Sequence, residues 1–99
     1  MSNQVFALIG FAQKAGKVIS GDQVLQDKLK NGRVKLIIIA IDTAENTKDK
    51  LLNNAERLGV PWCVTGTKVQ LGLSIGKSPR SALGILDPGL ARKVYQLMN

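Results

Sequence analysis

Few residues of this 99-residue chain have the chemistry that catalysis or metal binding needs. The sequence contains no histidine, the usual general base and a common metal ligand in proteins. Its single cysteine, Cys63, lies between Trp62 and Val64, so we interpret it as a core side chain rather than a nucleophile. No group of residues has the spacing of metal ligands. We therefore predict that the protein is not an enzyme and holds no metal or cofactor.

One glycine-rich segment, residues 72–78, is close to a phosphate-binding loop. It reads Gly-Leu-Ser-Ile-Gly-Lys-Ser, with three residues between the glycines where the motif requires four. It also leads from a predicted helix into a predicted strand, whereas a phosphate-binding loop leads from a strand into a helix. Both differences argue against nucleotide hydrolysis.

The charge of the chain favours an anionic partner. There are 14 basic and 7 acidic residues, for a formal net charge of +7. Residues 1–40 hold six basic and two acidic residues, and residues 61–99 hold five basic and one acidic. The segment between them has three basic and four acidic residues. If the two ends of the chain meet in space, they form one basic face, which is the footprint of an RNA or DNA binder.

The stretch from residue 17 to residue 30 is predicted to be a short strand followed by a helix, with glycine at the joint. Ser20 is the predicted N-cap, and Gln23 three residues later completes a capping-box pattern. Gly21 has no Cβ and would let a partner approach the helix start closely. Helix N-termini present unpaired N–H groups and partial positive charge, which suit an anionic ligand.

Alternating helical and strand-like patterns predict an α/β fold. We expect a single domain over residues 1–99, built as a three-layer α-β-α sandwich around a small mixed sheet of about four strands. The predicted strands are 17–20, 36–41, 62–64 and 81–86. Val5, Leu8, Ile9 and Ala12 have the spacing of a first helix, and Val24, Leu25, Lys28 and Leu29 share one side of a second. Leu51, Ala55 and Leu58 form the apolar face of a third helix, and the last helix is predicted to point Leu90, Val94 and Leu97 inward. Thr67 with Gln70, and Asp87 before Pro88, are predicted helix caps.

Three joints between these elements are predicted to share one edge of the sheet. They are residues 20–23, residues 40–43 and residues 75–80, because sites in such sheets lie where strand ends meet helix starts. Together they hold glycine, basic and small polar residues, a mixture that can grip a nucleic-acid backbone and read bases.

Aromatic residues are too few for a base-stacking platform. The four are Phe6, Phe11, Trp62 and Tyr95, which are isolated in sequence and occupy core-like positions. This pattern favours recognition of a structured RNA by loops and a helix end, with lysines on the phosphates.

Three segments carry a family resemblance. They are residues 19–23, the strand 36–40 followed by Asp42, and residues 71–80 before the last strand. Together they resemble the ribosomal-protein superfamily of kink-turn RNA binders, the L-seven-Ae type in its bacterial L-seven-Ae-like branch, over nearly the whole chain. The resemblance implies an α-β-α sandwich that binds kink-turns, which are sharply bent internal loops with tandem sheared G·A pairs.

In that family the second helix starts with Gly-Thr-Asn-Glu, carries a lysine three residues on, and inserts its first turn into the major groove at the sheared pairs. Gly21 matches the glycine, and Asp22 replaces the threonine. Gln23 replaces the asparagine and keeps an amide that can pair with base edges. Val24 replaces the glutamate, and Asp27 stands at the position of the lysine.

Two further matches follow from the resemblance. The loop with Gly76, Lys77 and Ser78 matches the family loop that contacts the extruded nucleotide, and Arg80 adds charge there. Asp42 matches the acidic residue after the central strand, which in the family flanks the RNA. Cationic residues of the expected interface would neutralise phosphates. The full expected interface is Lys17, Gly21, Asp22, Gln23, Lys28, Asp42, Gly76, Lys77, Ser78 and Arg80.

These features predict a non-catalytic binder of structured RNA, ribosomal or other non-coding RNA, with ribosomal proteins as further candidate partners. Two alternatives stay open: a protein-interaction module with weak non-specific RNA binding, and an enzyme acting on a phosphorylated substrate. The N-terminal segment reads as a first helix rather than a signal peptide. No apolar run approaches the roughly 20 residues of a membrane span, so we expect a cytosolic protein.

Overall fold

The computed structural model of the chain describes residues 3–98, which form five helices and four strands. In chain order these elements are α1 (Asn3–Lys14), β1 (Val18–Ser20), α2 (Asp22–Lys30), β2 (Leu36–Ile39), α3 (Glu45–Leu58), β3 (Trp62–Val64), α4 (Lys68–Ser74), β4 (Ala82–Ile85) and α5 (Pro88–Met98). The order matches the alternation predicted from the sequence.

The strands form one mixed sheet in the order β1-β4-β2-β3. β2 pairs in parallel with β3, and β4 runs antiparallel to both of its neighbours, β1 and β2. All four residues of β2 and all four of β4 are buried, because these two strands lie inside the sheet and are covered on both faces. The predicted four-stranded mixed sheet is confirmed.

Helices cover both faces of the sheet, which confirms the three-layer α-β-α architecture. α1, α4 and α5 pack on one face of the sheet, and α2 and α3 pack on the other. Successive residues of β2 point to opposite faces, so this strand contributes side chains to both cores. The first face has a core of Val5, Ile9, Ala12, Leu36, Ile38, Ala40, Cys63, Leu71, Ile75, Leu83, Ile85, Ala91 and Val94. The second face has a core of Leu25, Leu29, Val34, Ile37, Ile39, Leu51, Ala55 and Ala82.

Two of the three predicted caps are confirmed. Thr67 Oγ1 accepts from the Gln70 amide at 3.1 Å, while the Gln70 side chain accepts from the Thr67 amide at 2.9 Å. This reciprocal pair is the predicted capping box of α4. Asp87 Oδ2 accepts from the Leu90 amide at 2.8 Å and so caps α5.

The predicted capping box at α2 is wrong. Ser20 is still part of β1 and pairs with Leu83, so the N-cap position falls one residue later, on Gly21. Gly21 has φ 98° and ψ 133°, a backbone conformation that favours glycine, and it has no side chain with which to cap the helix. Gln23 instead donates from Nε2 to Asp27 Oδ1 at 3.0 Å.

Some residues predicted to face the core lie at the surface. Val24 is 46% exposed, Leu58 37% and Leu97 42%, because each lies beside the buried stripe of its helix rather than on it. In α2 that stripe consists of Leu25 and Leu29 alone.

The aromatic residues are also less buried than their positions suggested. Phe11 is 61% exposed and Tyr95 is 42% exposed, whereas Phe6 packs partly buried against the first core. The prediction of core-like positions is therefore wrong for Phe11 and Tyr95.

Within residues 3–98, none of the helices combines the length and the apolar character that crossing a lipid bilayer would require.

Candidate nucleic-acid interface

One edge of the sheet collects the three predicted joints. Strand register places the end of β1 at Ser20 opposite Leu83, and the end of β2 at Ile39 between Val64 and Ala82. The carboxyl ends of β1, β2 and β3 and the start of β4 therefore lie side by side. We call this edge, with the loops that leave and enter it, the carboxyl edge.

Arg80 connects two neighbouring joints, residues 20–23 and residues 75–80. Its Nε donates to Ser20 Oγ at 3.1 Å, which joins the β1–α2 corner to the loop before β4. Its Nη1 donates to Ser78 Oγ at 2.7 Å, to the Ser78 carbonyl at 3.1 Å and to the Pro79 carbonyl at 3.2 Å. The guanidinium was predicted to bind phosphate, but in the structure it also organises the loop that carries it.

Asp42 connects residues 40–43, the joint after β2, to the start of α4. Its Oδ1 accepts from the Lys68 amide at 2.8 Å, the first residue of the helix. A carboxylate at this position also interacts favourably with the helix dipole. The Arg80 amide in turn donates to the Lys68 carbonyl at 3.0 Å, which holds the loop before β4 alongside the same turn of α4. This structural role of Asp42 could not be read from the sequence, because the two partners are 26 residues apart.

Thr43 fastens the same segment to the start of β4. It is buried, and its Oγ1 donates to the Ser81 carbonyl at 2.9 Å. The Ala40 amide donates to the same carbonyl at 2.8 Å. The sequence pattern marked this threonine only as the end of a strand.

The start of α2 presents its first turn to solvent. Gly21, Asp22 and Gln23 are all exposed. The first intrahelical bond runs from the Leu25 amide to the Gly21 carbonyl at 2.9 Å, so the amides of the preceding turn have no partner within the helix. Since Gly21 supplies no side-chain cap, these amides are hydrogen-bond donors directed at whatever approaches the carboxyl edge.

The loop between α4 and β4 packs against α4 through a glycine. A Cβ built on Gly72 would lie within 2.2 Å of the Ser78 carbonyl oxygen. The Lys77 amide donates to the Gly72 carbonyl at 2.9 Å. Lys77 and Ser78 are exposed, and Gly76, with φ 71°, turns the chain back after the helix. The loop thus runs along the helix surface from Gly72 toward the carboxyl edge.

A polar groove between α2 and α3 borders the same edge, and the sequence did not reveal it. Its volume is about 260 Å³. On its α2 side, Gln26 Oε1 accepts from Asn54 Nδ2 at 2.6 Å, a bond that joins the two helices. The groove is lined by Asp22, Gln23, Gln26, Asn46, Thr47, Lys50 and Leu51.

Two of the expected interface residues lie away from the carboxyl edge. Lys17 precedes β1, and its carbonyl accepts from the Leu86 amide just beyond the end of β4, so it lies at the opposite edge of the sheet. Lys28 lies in the last turn of α2. The remaining eight expected residues belong to the segments that meet at or lead into the carboxyl edge.

The basic residues divide between two surfaces instead of forming one face. The carboxyl edge mixes charges of both signs, namely Asp22, Asp42, Glu45, Lys48, Lys68, Lys77 and Arg80. At the opposite edge, where β1 and β2 start and β4 ends, lie Lys14, Lys17, Lys30, Arg33, Lys35 and Arg92, and we call this surface the basic pole. The two ends of the chain therefore meet only in part: Arg92 joins the cations of residues 1–40 at the basic pole, whereas Lys68, Lys77 and Arg80 lie at the carboxyl edge.

Cys63 takes no part in either surface. It is buried on β3, and desolvation raises the pKa of its thiol to about 11. A thiol with that pKa is protonated near neutral pH and is a poor nucleophile, which supports the interpretation of Cys63 as a core residue.

Comparison with known proteins finds a match over residues 3–95 to the model of the ribosomal protein L7Ae/L30e/S12e/Gadd45 family. The RNA-binding protein YlxQ of Bacillus subtilis is 33% identical over 94 residues, covering 95% of this chain and 94% of that protein. The RNA-binding protein YlxQ of Enterococcus faecium is 35% identical over 91 residues, covering 92% and 87%. A solved structure from Bacillus halodurans, of a protein with unknown function, superimposes with a TM-score of 0.95 at 32% identity, covering 98% of both chains.

Proposed function

Because the chain belongs to the ribosomal protein L7Ae/L30e/S12e/Gadd45 family, as its sequence motifs indicated, we propose that it binds structured, kink-turn-like RNA without catalysing a reaction. Relatives named as RNA-binding proteins, one third identical over nearly the full chain, support this class of partner. Ribosomal RNA or another non-coding RNA is the proposed target, with neighbouring ribosomal proteins as further partners.

One observation supports RNA recognition at the carboxyl edge most directly. The hydrogen bond from Arg80 to Ser20 holds the exposed start of α2 and the loop with Lys77 on the same edge of the sheet. A rigid edge that presents a helix end and a loop together can contact two neighbouring parts of one folded RNA. Such pre-organisation lowers the ordering cost that binding would otherwise incur.

In the proposed mechanism the first turn of α2 enters the major groove of the kinked RNA. Gln23 carries an amide that can both donate to and accept from base edges, and its Nε2 has one further hydrogen beyond the bond to Asp27. The unpaired amides after Gly21 bind phosphate or base acceptors, and Lys77 neutralises a phosphate.

In the proposed mechanism the conformational change takes place in the RNA. A kink-turn exchanges between extended and bent forms, and a protein that binds only the bent form shifts the population toward it. Because Asp22, Asp42 and Glu45 offset most of the positive charge at the carboxyl edge, we expect geometry, rather than charge, to set the preference for this RNA.

A second candidate function is a protein-interaction module that retains the fold and binds RNA weakly and without specificity. Val24 favours it, because an apolar side chain exposed by 46% stands where the family carries a glutamate. Asp27 favours it as well, because its carboxylate accepts from Gln23 Nε2 at 3.0 Å and so places a negative charge beside the amide proposed to read bases.

Titration with paired RNAs separates the two functions. One RNA carries a standard kink-turn, and the other is identical except that its sheared G·A pairs are changed to Watson–Crick pairs. We expect tight binding to the first and a clear loss of affinity on the second at both low and high salt. Equal, weak and strongly salt-dependent binding to both RNAs would exclude kink-turn recognition and favour the interaction module.

A further inference from the structure

The basic pole carries more positive charge than the carboxyl edge, and the proposed kink-turn site does not use it. The strand register fixes the positions of two of its lysines. Val18 of β1 and Leu36 of β2 both pair with Ile85 of β4, from opposite sides. The preceding residues, Lys17 and Lys35, therefore flank the end of β4. Since neighbouring strands are about 4.8 Å apart, the Cα atoms of these two lysines are roughly 10 Å apart.

The other cations of the pole surround this pair. Lys30 and Lys35 line one shallow groove of about 290 Å³. Lys35 also lines a second groove, of about 310 Å³, together with Arg92. Both grooves contain Pro61, so they form one continuous surface. All six cations of the basic pole are exposed.

Few anions lie at this surface. Glu56, in the last turn of α3, borders it through Gly59, Val60 and Pro61, which line both adjoining cavities. Within residues 3–98 the ion pair that forms joins Lys48 to Glu45, at the other edge of the sheet, and no cation of the basic pole belongs to one. Asp87 lies at the pole, but its carboxylate accepts from the Leu90 amide and caps α5.

Helix dipoles explain the positions of only some of the cations at the basic pole. Lysines in the last turn of a helix complement its partial negative charge, which explains Lys14 in α1 and Lys30 in α2. Lys17 and Lys35 lie outside any helix, and Arg92 lies beyond the first turn of α5, so helix dipoles explain none of these three. Lys35 Nζ donates to the Gly32 carbonyl at 3.1 Å, just after α2. The fold gives no structural reason for the charges of Lys17 and Arg92.

We propose that the basic pole is a second, sequence-independent RNA-binding surface, which holds the phosphates of an A-form duplex while the carboxyl edge faces another RNA segment. The molecule measures 29 × 27 × 24 Å, so the two surfaces lie on opposite sides of a body slightly wider than an RNA helix. One protein can then contact two separate RNA segments. Duplex recognition of this kind reads backbone charge and shape, which requires only exposed cations at suitable spacing.

The test compares two single variants of equal charge in titrations with a plain 16-base-pair RNA duplex. Lys17→Gln removes one charge from the pole, and Lys93→Gln removes one from α5. For the pole variant we expect the slope of log K against log salt to fall in magnitude by about 1, and affinity to fall about threefold at 0.1 M salt. The control variant should keep at least half of the wild-type affinity.

An equal loss in both variants, or no loss in the pole variant, would overturn the proposal. Circular dichroism and thermal melting of both variants establish that each is folded. The ratio of affinities for the kink-turn RNA and its Watson–Crick control should be unchanged in the pole variant. A ratio of one for wild type would overturn the kink-turn function alone, since the duplex result does not depend on it.

Discussion

The guanidinium of Arg80 donates from Nε to the hydroxyl of Ser20 at 3.1 Å, across 60 residues of sequence. This bond connects the end of β1 to the loop before β4, and the same guanidinium holds the Ser78 and Pro79 carbonyls. Arg80 therefore holds together the end of β1, which leads into α2, and the loop before β4, the two segments of the carboxyl edge with the proposed RNA contacts.

Arg80→Lys should weaken kink-turn binding about tenfold while the salt dependence stays unchanged. Lysine retains the positive charge but cannot form the planar set of bonds to Ser20, Ser78 and Pro79. Titrations at several salt concentrations measure both quantities. Ser20→Ala serves as a milder partner variant, because it removes only one of these bonds. Wild-type affinity in Arg80→Lys would show that the bond does not position the interface.

Gln23→Ala should cost about 1–3 kcal/mol in binding to kink-turn RNA and reduce the discrimination against its Watson–Crick control, because the side-chain amide is lost. Gln96→Ala, at an exposed position of α5, is the matched control and should change neither quantity. An equal loss of affinity for both RNAs would remove Gln23 from base recognition.

Lys77→Ala should weaken binding to all RNAs that use the carboxyl edge and lower the log–log salt slope by about 1. The reason is the loss of one exposed ammonium and of the counterion that its phosphate contact releases. Lys93→Ala removes the same charge from α5 and should leave the slope unchanged. An unaltered slope in Lys77→Ala would mean that this lysine does not contact phosphate.

Gly72→Ala should destabilise the fold by about 1–3 kcal/mol, because its methyl group would overlap the Ser78 carbonyl and the loop would have to move. Gly10→Ala is the control in another helix. There the nearest atom, the Ser74 carbonyl oxygen, would lie at 3.3 Å, and the effect should be smaller. Urea unfolding of both variants measures the difference, and equal stabilities would contradict the tight packing at Gly72.

Cys63 should make stability fall at alkaline pH. Burial raises the pKa of its thiol from 9.0 to about 11, so the folded state retains a proton that the unfolded state loses. The resulting stabilisation is present below pH 9 and disappears between about pH 9 and pH 11, with a size of roughly 2–3 kcal/mol. Urea unfolding at pH 8 and pH 10.5 should therefore show a larger loss in wild type than in Cys63→Ala. Identical losses would show that the thiol titrates normally.

The sequence by itself determined the order of the elements and most of their boundaries. The continuous apolar run at 36–41 is typical of an interior strand covered on both faces, and residues Leu36–Ile39 form that strand. Thr67 with Gln70, and Asp87 before Pro88, specify helix starts through bonds between near neighbours in the chain. The family could also be identified from the sequence, because each of its motifs is a short continuous segment of the chain.

Tertiary structure alone decided which residues meet. Ser20 was predicted to cap its own helix and instead binds Arg80, because pairing with β4 keeps it in the strand. Asp42 caps a helix 26 residues away. The sequence left open whether the charges of the two chain ends meet: Arg92 does join Lys35 at the basic pole, but Lys77 lies at the opposite edge of the sheet. Local patterns set dihedral angles and burial, whereas the direction in which each strand crosses the sheet sets which loops share an edge. That direction follows from strand pairing between distant segments, which spacing along the chain does not encode.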